Sequence, residues 1–127
     1  MKTQREIKFR VWDESDNQMV SWEDCIDTPL LFDAFDFDNA IPQQYTGLKD
    51  VCGIEIYEGD IMYRKAVDIY YRCEYSQEEG AYVLIFERDT DFVYLSQHAK
   101  YIEIVGNMFE NPELLKATLW RKNEQNN

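Results

Sequence analysis

From Val67 to Tyr75 every second side chain is apolar or aromatic, and the positions between them carry a charge or a hydroxyl. Successive side chains of a strand point to opposite faces, whereas a helix would scatter this set round its axis. Val67, Ile69, Tyr71, Cys73 and Tyr75 therefore share one face, and Asp68, Tyr70, Arg72 and Glu74 the other. The segment reads as a half-buried strand. Gln77 to Gly80 follows as a turn, and Ala81 to Glu87 as a more fully buried strand.

The same period opens the chain. Ile7, Phe9 and Val11 alternate with Glu6, Lys8, Arg10 and Trp12. Charges on its outer face suit an edge strand over 5–12. Asp13 to Asn17 is a turn, and Gln18 to Trp22 completes an N-terminal hairpin. Further short strands are expected at Tyr45–Leu48, Ile54–Tyr57, Ile61–Arg64, Phe92–Leu95 and Tyr101–Val105. Gly47, Gly53 and Gly59 fall where these strands meet corners, and Gly53 can take the positive φ of a hairpin bulge. Between Pro29 and Pro42 the period is unsettled, with short strands expected around 30–32 and 35–37. Near the end, Asn111, Pro112 and Glu113 signal a helix start. Leu114, Leu115, Thr118 and Leu119 give that helix a packing face.

Short strands separated by frequent turns predict an all-β fold. The expectation is a compact barrel or sandwich of antiparallel strands, with an N-terminal hairpin and one short C-terminal helix. With 127 residues the chain suits a single domain over 1–122. Within it, 1–42 holds the hairpin and an acidic segment, 43–110 the β core and 111–122 the helix. Residues 123–127 read as a disordered tail.

The 25 acidic and 13 basic residues give a net charge of −12. Such a surface disfavours nucleic acid and anionic lipid. From Asp13 to Asp38 there are nine acids (Asp13, Glu14, Asp16, Glu23, Asp24, Asp27, Asp33, Asp36 and Asp38) and no Lys or Arg. That segment reads as solvated loop charge, or else as a face for a cationic partner or an anionic mimic of DNA. Cys25, Cys52 and Cys73 are far apart and form no C-x-x-C, which suits free thiols in the cytoplasm. The first ten residues have no apolar core of a signal peptide, and the run Ala81–Phe86 is too short to cross a bilayer.

No catalytic residue, cofactor or metal site is expected. His98 is the only histidine, in the exposed-looking run Ser96 to Lys100, and no nucleophile motif accompanies it. Three isolated Cys and one His do not supply paired zinc ligands. Asp13, Ser15 and Asn17 match the first positions of a calcium loop, but Gln18 stands in place of its Gly and Asp24 in place of its bidentate Glu. The glycines form neither a dinucleotide nor a Walker pattern. Tyr70 with Arg72 is the place where a strand face could stack single-stranded bases, although ordinary cross-strand pairing is the simpler account.

Three blocks in order carry a family resemblance. Arg5 to Asp13 with Met19 forms the first, Gln44 to Asp60 the second, and Ile102 to Leu115 the third. The second includes Gly47-Leu48-Lys49-Asp50 and Ile56-Tyr57-Glu58-Gly59-Asp60-Ile61. The set resembles the YopX family of phage and prophage proteins. The chain departs from the family pattern with Cys52 before Gly53, where Asn-Gly is usual, and with Gln43 before the central run. Cys tolerates left-handed backbone less well than Asn, so Gly53 alone is expected to adopt it. The resemblance implies a largely β fold and supplies no activity.

The expected function is that of a non-enzymatic phage or prophage accessory protein that binds another macromolecule. A protein partner or self-association is favoured over nucleic acid, and no membrane is involved. Asp33, Asp36, Asp38, Tyr70 and Arg72 are the candidate partner-binding residues. The alternatives are a metal-dependent hydrolase using the carboxylates of 33–38, and a single-stranded nucleic-acid binder.

Overall fold

The computed structural model describes residues 5–27, 39–86 and 91–115. Asp33, Asp36 and Asp38 lie outside the described residues. So do the strands expected at 30–32 and 35–37, Glu87, the helix beyond Leu115 and the tail. The described residues form nine strands with short helical turns, and the fold is all-β. It divides into two units, residues 1–47 and 48–127.

The first unit starts with β1 (Phe9–Asp13) and β2 (Gln18–Val20) in antiparallel register, with Val11 opposite Val20 and Asp13 opposite Gln18. Their turn is closed by Asp13, whose Oδ1 accepts from the amides of Ser15 and Asp16. Asn17 takes the left-handed conformation at φ 55°, which its short polar side chain tolerates. The return strand is shorter than its expected Gln18–Trp22. Ser21 caps a helix instead, accepting from the Asp24 amide, with Glu23 and Asp24 at the positive dipole end. That helix, α1 (Trp22–Ile26), buries Cys25 against Val11 and Ala40, with Val20 and Trp22 beside them.

Two expectations for the opening strand fail. β1 is not an edge, because β3 (Ala40–Lys49) pairs with its other side, from Phe9 opposite Gln44 to Asp13 opposite Ala40. Nor does one face carry all the burial. Ile7 precedes the strand and is 61% exposed, whereas Trp12 on the charged face is 5% exposed. The outward charges of Lys8 and Arg10 do not mark an edge. Arg10 Nε donates to Gln43 Oε1 on β3 at 2.7 Å, a cross-strand contact within a paired sheet. β3 itself is much longer than its expected Tyr45–Leu48 and includes Pro42.

The second unit contains the end of β3, then β4 (Glu55–Tyr57) and β5 (Asp60–Arg64). β6 (Ile69–Ser76), β7 (Ala81–Ile85) and β8 (Phe92–Tyr94) follow. Next come α2 (Leu95–His98), a 3-10 turn (Ala99–Tyr101) and β9 (Glu103–Asn107). One sheet runs β2-β1-β3-β4 and the other β8-β7-β6-β5-β9. Met62, Tyr71, Cys73 and Leu84, from one face of the second sheet, pack with Ile56, Leu95, Ala99 and Ile102 into the larger core. The alternation of 67–75 thus places Tyr71 and Cys73 inside. Its ends do not follow: Val67 lies in the β5–β6 turn, where Asp68 has φ 52°, and Tyr75 is half exposed.

Helical turns replace strand at two further expected positions. Leu95 starts α2, which with the following turn lays Leu95, Ala99 and Ile102 onto the core. Tyr101 and Ile102 precede β9, which begins at Glu103. Ile61 pairs with Gly106 and Met62 with Ile104, so Val105 is the extra residue of a bulge. After β9, residues 113–115 are helical.

Candidate functional site

Asp50 and Asp60, the aspartates of the central block, face inward. Asp50 is 6% exposed, and both its oxygens are engaged. Its Oδ1 accepts from the amides of Cys52 and Ile54 at 2.9 Å each, and its Oδ2 from the amide of Ile104 at 2.9 Å. One carboxylate therefore organises the β3–β4 turn and ties it to β9. Gly53 closes that turn at φ 81°, and Cys52 keeps negative φ, as expected from the departure at this position. Asp60 is 1% exposed, and its Oδ2 accepts from the Tyr57 amide across the corner that Gly59 makes at φ 86°. The Gly59 amide donates to Cys73 O and its carbonyl accepts from Met108, so the corner is held from two sides.

The closing block uses the same device. Asn107 Oδ1 accepts from the amides of Phe109 and Glu110, and its own amide donates to Asn111 Oδ1 at 3.2 Å. Asn111 spends its side chain there, while its carbonyl accepts from Leu114 as the helical turn begins. Gly106 leaves the room this needs: a Cβ at 106 would lie 2.5 Å from Asn111 Oδ1. The arrangement can orient turns. It offers no free carboxylate or amide for chemistry.

The family model described as YopX protein matches residues 8–116. The chain belongs to the YopX family. A crystal structure of protein EF1440 from Enterococcus faecalis is similar at TM-score 0.63 and 24% identity, covering 88% of this chain and 99% of that one. The crystal structure of protein yopX from Bacillus subtilis is similar at TM-score 0.52 and 20% identity, covering 84% and 96%. At those identities the likeness shows the fold alone. No curated protein matches the chain.

Of the expected binding residues, the structure brings Tyr70 and Arg72 together on β6. Tyr70 stacks on Tyr63 of β5 with ring centres 4.8 Å apart, and Tyr63 donates its hydroxyl to Asp68 at 2.8 Å. Arg72 Nε donates to Glu74 Oε1 at 2.5 Å. Cross-strand partners share a face. Ile61, opposite Arg72, and Val83, opposite Glu74, are both buried. Arg72 thus works as the centre of a local ion pair between buried aliphatic side chains.

The nucleophile and metal candidates are likewise accounted for locally. His98 is half-buried in α2 rather than in an exposed connection, because its Nδ1 lies 3.0 Å from Tyr94 O, one helical turn back. Cys25 and Cys73 are buried and Cys52 is exposed. Burial, with a contribution from the Asp24 charge, pushes the Cys25 thiol above its ordinary range, and a backbone hydrogen bond offsets this only in part. In the calcium-like loop, Asp13 is committed to backbone amides and Ser15 Oγ accepts from Asn39 Nδ2 at 2.8 Å. Among the described residues no group of three His, Cys, Asp or Glu could hold a metal ion. No helix among them is long and apolar enough to cross a membrane.

The surface features missed by the pattern reading are exposed apolar side chains. In the second unit Val51, Ile54 and Tyr101 are 57%, 53% and 55% exposed, and in the first Ile26 is 58% exposed. The Val51 amide donates to Ile102 O at 3.0 Å, which sets the β3–β4 turn beside Tyr101. Ile54 and Tyr101 look in sequence like further apolar positions of the strands expected at Ile54–Tyr57 and Tyr101–Val105. Their exposure depends on turns that side-chain period does not reveal.

Proposed function

We propose that this YopX-family protein is a non-enzymatic accessory protein of a phage or prophage, acting in the cytoplasm by binding a protein partner or a second copy of itself. The observation that carries this reading is the exposure of Val51, Ile54 and Tyr101 on a unit whose signature polar groups are bonded internally. Catalysis needs polar groups held ready for a substrate; binding needs apolar area held out toward solvent. The net charge of −12 supports a protein partner over nucleic acid. The self-pairing of Tyr63 with Tyr70, and of Arg72 with Glu74, also weighs against base stacking on that face.

The experiment is affinity capture from host lysate with tagged protein, compared with a Val51→Ser/Tyr101→Ser double variant. A discrete partner retained by the parent and lost by the variant is the expected result. Capture of nothing beyond the control, together with a monomeric state of the purified chain, would sink the reading.

A further inference from the structure

Arg64, at the end of β5, is an unusual cation for so acidic a chain. Its Nε is shielded from water and has no hydrogen-bond acceptor among the described residues, while the guanidinium also lies against the Tyr71 hydroxyl. Despite 25 acids against 13 bases, Arg64 makes no ion pair among the described residues. Its guanidinium carbon lies 5.8 Å from the ring centre of Tyr101, and Lys100 Nζ lies 5.5 Å from the same centre. Asp68, four residues on from Arg64, accepts from the Tyr63 hydroxyl, and Glu103, the acid nearest to Lys100 along the chain, pairs with Tyr63 and so lies on the other sheet face from Arg64. Val51 adds exposed apolar surface beside the ring. The result is a cationic, aromatic and apolar patch.

Its chemical complement is present on the first unit. Glu23, Ile26 and Asp27 stand at i, i+3 and i+4, and so share one side of α1 and its C-cap. All three are exposed, Ile26 to 58%. Two carboxylates flanking an aliphatic side chain match two cations flanking an aromatic ring in both charge and polarity. Complementary local charge steers association even when the two partners repel overall, because repulsion between distant charges is screened at physiological salt.

We propose that the occupant of the Arg64–Lys100–Tyr101 patch is the Glu23–Ile26–Asp27 face of α1 from a second copy of this chain. This rests on the binding reading above and narrows it to self-association through two different surfaces. Such a heterologous contact leaves one patch and one helix face open on every pair, so it continues to a ring or a chain.

Sedimentation velocity of the purified protein over a micromolar to millimolar series tests this. The parent should grow in mass with concentration and dissociate as salt is raised. Arg64→Glu/Lys100→Glu and Glu23→Lys/Asp27→Lys should each weaken association by about tenfold or more. Lys100→Glu/Tyr101→Ser, both at exposed positions, replaces the first pair if Arg64→Glu does not fold. An equimolar mixture of one patch variant with the helix variant should recover association as a heterodimer, because the native helix face of the first fits the native patch of the second; with Arg64→Glu/Lys100→Glu the two reversed faces are again opposite in charge and can extend it. A parent that stays monomeric throughout, an assembly that neither variant weakens, or a mixture that gives no heterodimer would overturn the proposal. A monomeric parent that still captures a host protein through Val51 and Tyr101 would remove this inference and leave the binding reading standing.

Discussion

Replacing Asp50 with Ala should be among the most damaging single changes in the second unit. The substitution removes the acceptors of three amides, those of Cys52, Ile54 and Ile104. A hydrogen bond to a charged group contributes about 1.5–3 kcal/mol, and a buried donor left without an acceptor costs about 1–3 kcal/mol. Cys52 and Ile54 are exposed, so water recovers part of the loss at their amides. Ile104 is half-buried in β9, and its amide has less access to a replacement. The total should be about 3–5 kcal/mol, below the sum of three full bonds because the turn relaxes. With a urea m-value of about 2 kcal/mol/M, the midpoint should fall by about 2 M. Asp50→Asn is the informative control. It can keep an oxygen toward the turn but points an amide group at the Ile104 N–H, and should cost about 2 kcal/mol. Urea unfolding followed by tryptophan and tyrosine fluorescence gives both values, and hydrogen exchange at Ile104 shows whether its amide has lost protection. If both variants unfold within about 0.5 kcal/mol of the parent, Asp50 is not the organising group described here.

Gly106→Ala should destabilise by about 1–3 kcal/mol, because its Cβ would meet Asn111 at 2.5 Å; Asn111→Gly in the same chain should recover part of that in thermal melts. Burial raises the folded-state pKa of both Cys25 and Tyr71 above their ordinary values of 9.0 and 10.0, with the Arg64 charge partly opposing the shift at Tyr71. The folded state therefore holds these protons more tightly, and stability should be full at neutral pH and fall as pH rises past 9.0 and on through the raised values; Tyr71→Phe should flatten the upper part of that decline in urea midpoints measured against pH. A thiol reagent should label Cys52 rapidly and Cys25 and Cys73 only on unfolding, as read by mass spectrometry. Arg72→Ala should leave partner capture unchanged, since its guanidinium is already paired with Glu74; loss of capture would restore that face as a binding surface.

Side-chain period revealed the all-β class and most of the second sheet, because a strand buried on one face writes its burial directly into alternate residues. Tyr71 and Cys73 are the clear case. The two short helices escaped for a related reason. α1 spans Trp22–Ile26 and α2 Leu95–His98, each too brief to show a 3.6-residue repeat, and their apolar residues blend with neighbouring strands. Ser21 three residues before Asp24 was the available signal for α1. The edge assignment of β1 failed because sheet position depends on a partner thirty residues away, which local charge does not report. The exposed cluster at Val51 and Tyr101 was hidden likewise, since it is assembled by a contact between the β3–β4 turn and Ile102. Within the family signature Gly53 and Gly59 were legible as corners, whereas Gly47, also expected at one, lies inside β3 at φ 87°; Gly53 alone takes the left-handed conformation at its turn. The aspartates beside them were not read, although an Asp three residues before a turn glycine is a recurrent way to hold turn amides.

The Asp50–Ile104 bond spans 54 residues, and this bears on the order in which the protein acquires its shape during synthesis. The ribosome delivers the β3–β4 turn long before it delivers β9. Until Ile104 emerges, one carboxylate oxygen of Asp50 lacks its native donor, and Val51 likewise lacks the Ile102 carbonyl. The nascent signature turn is thus a half-finished clasp, and its closure waits on the arrival of β9, a strand of the other sheet.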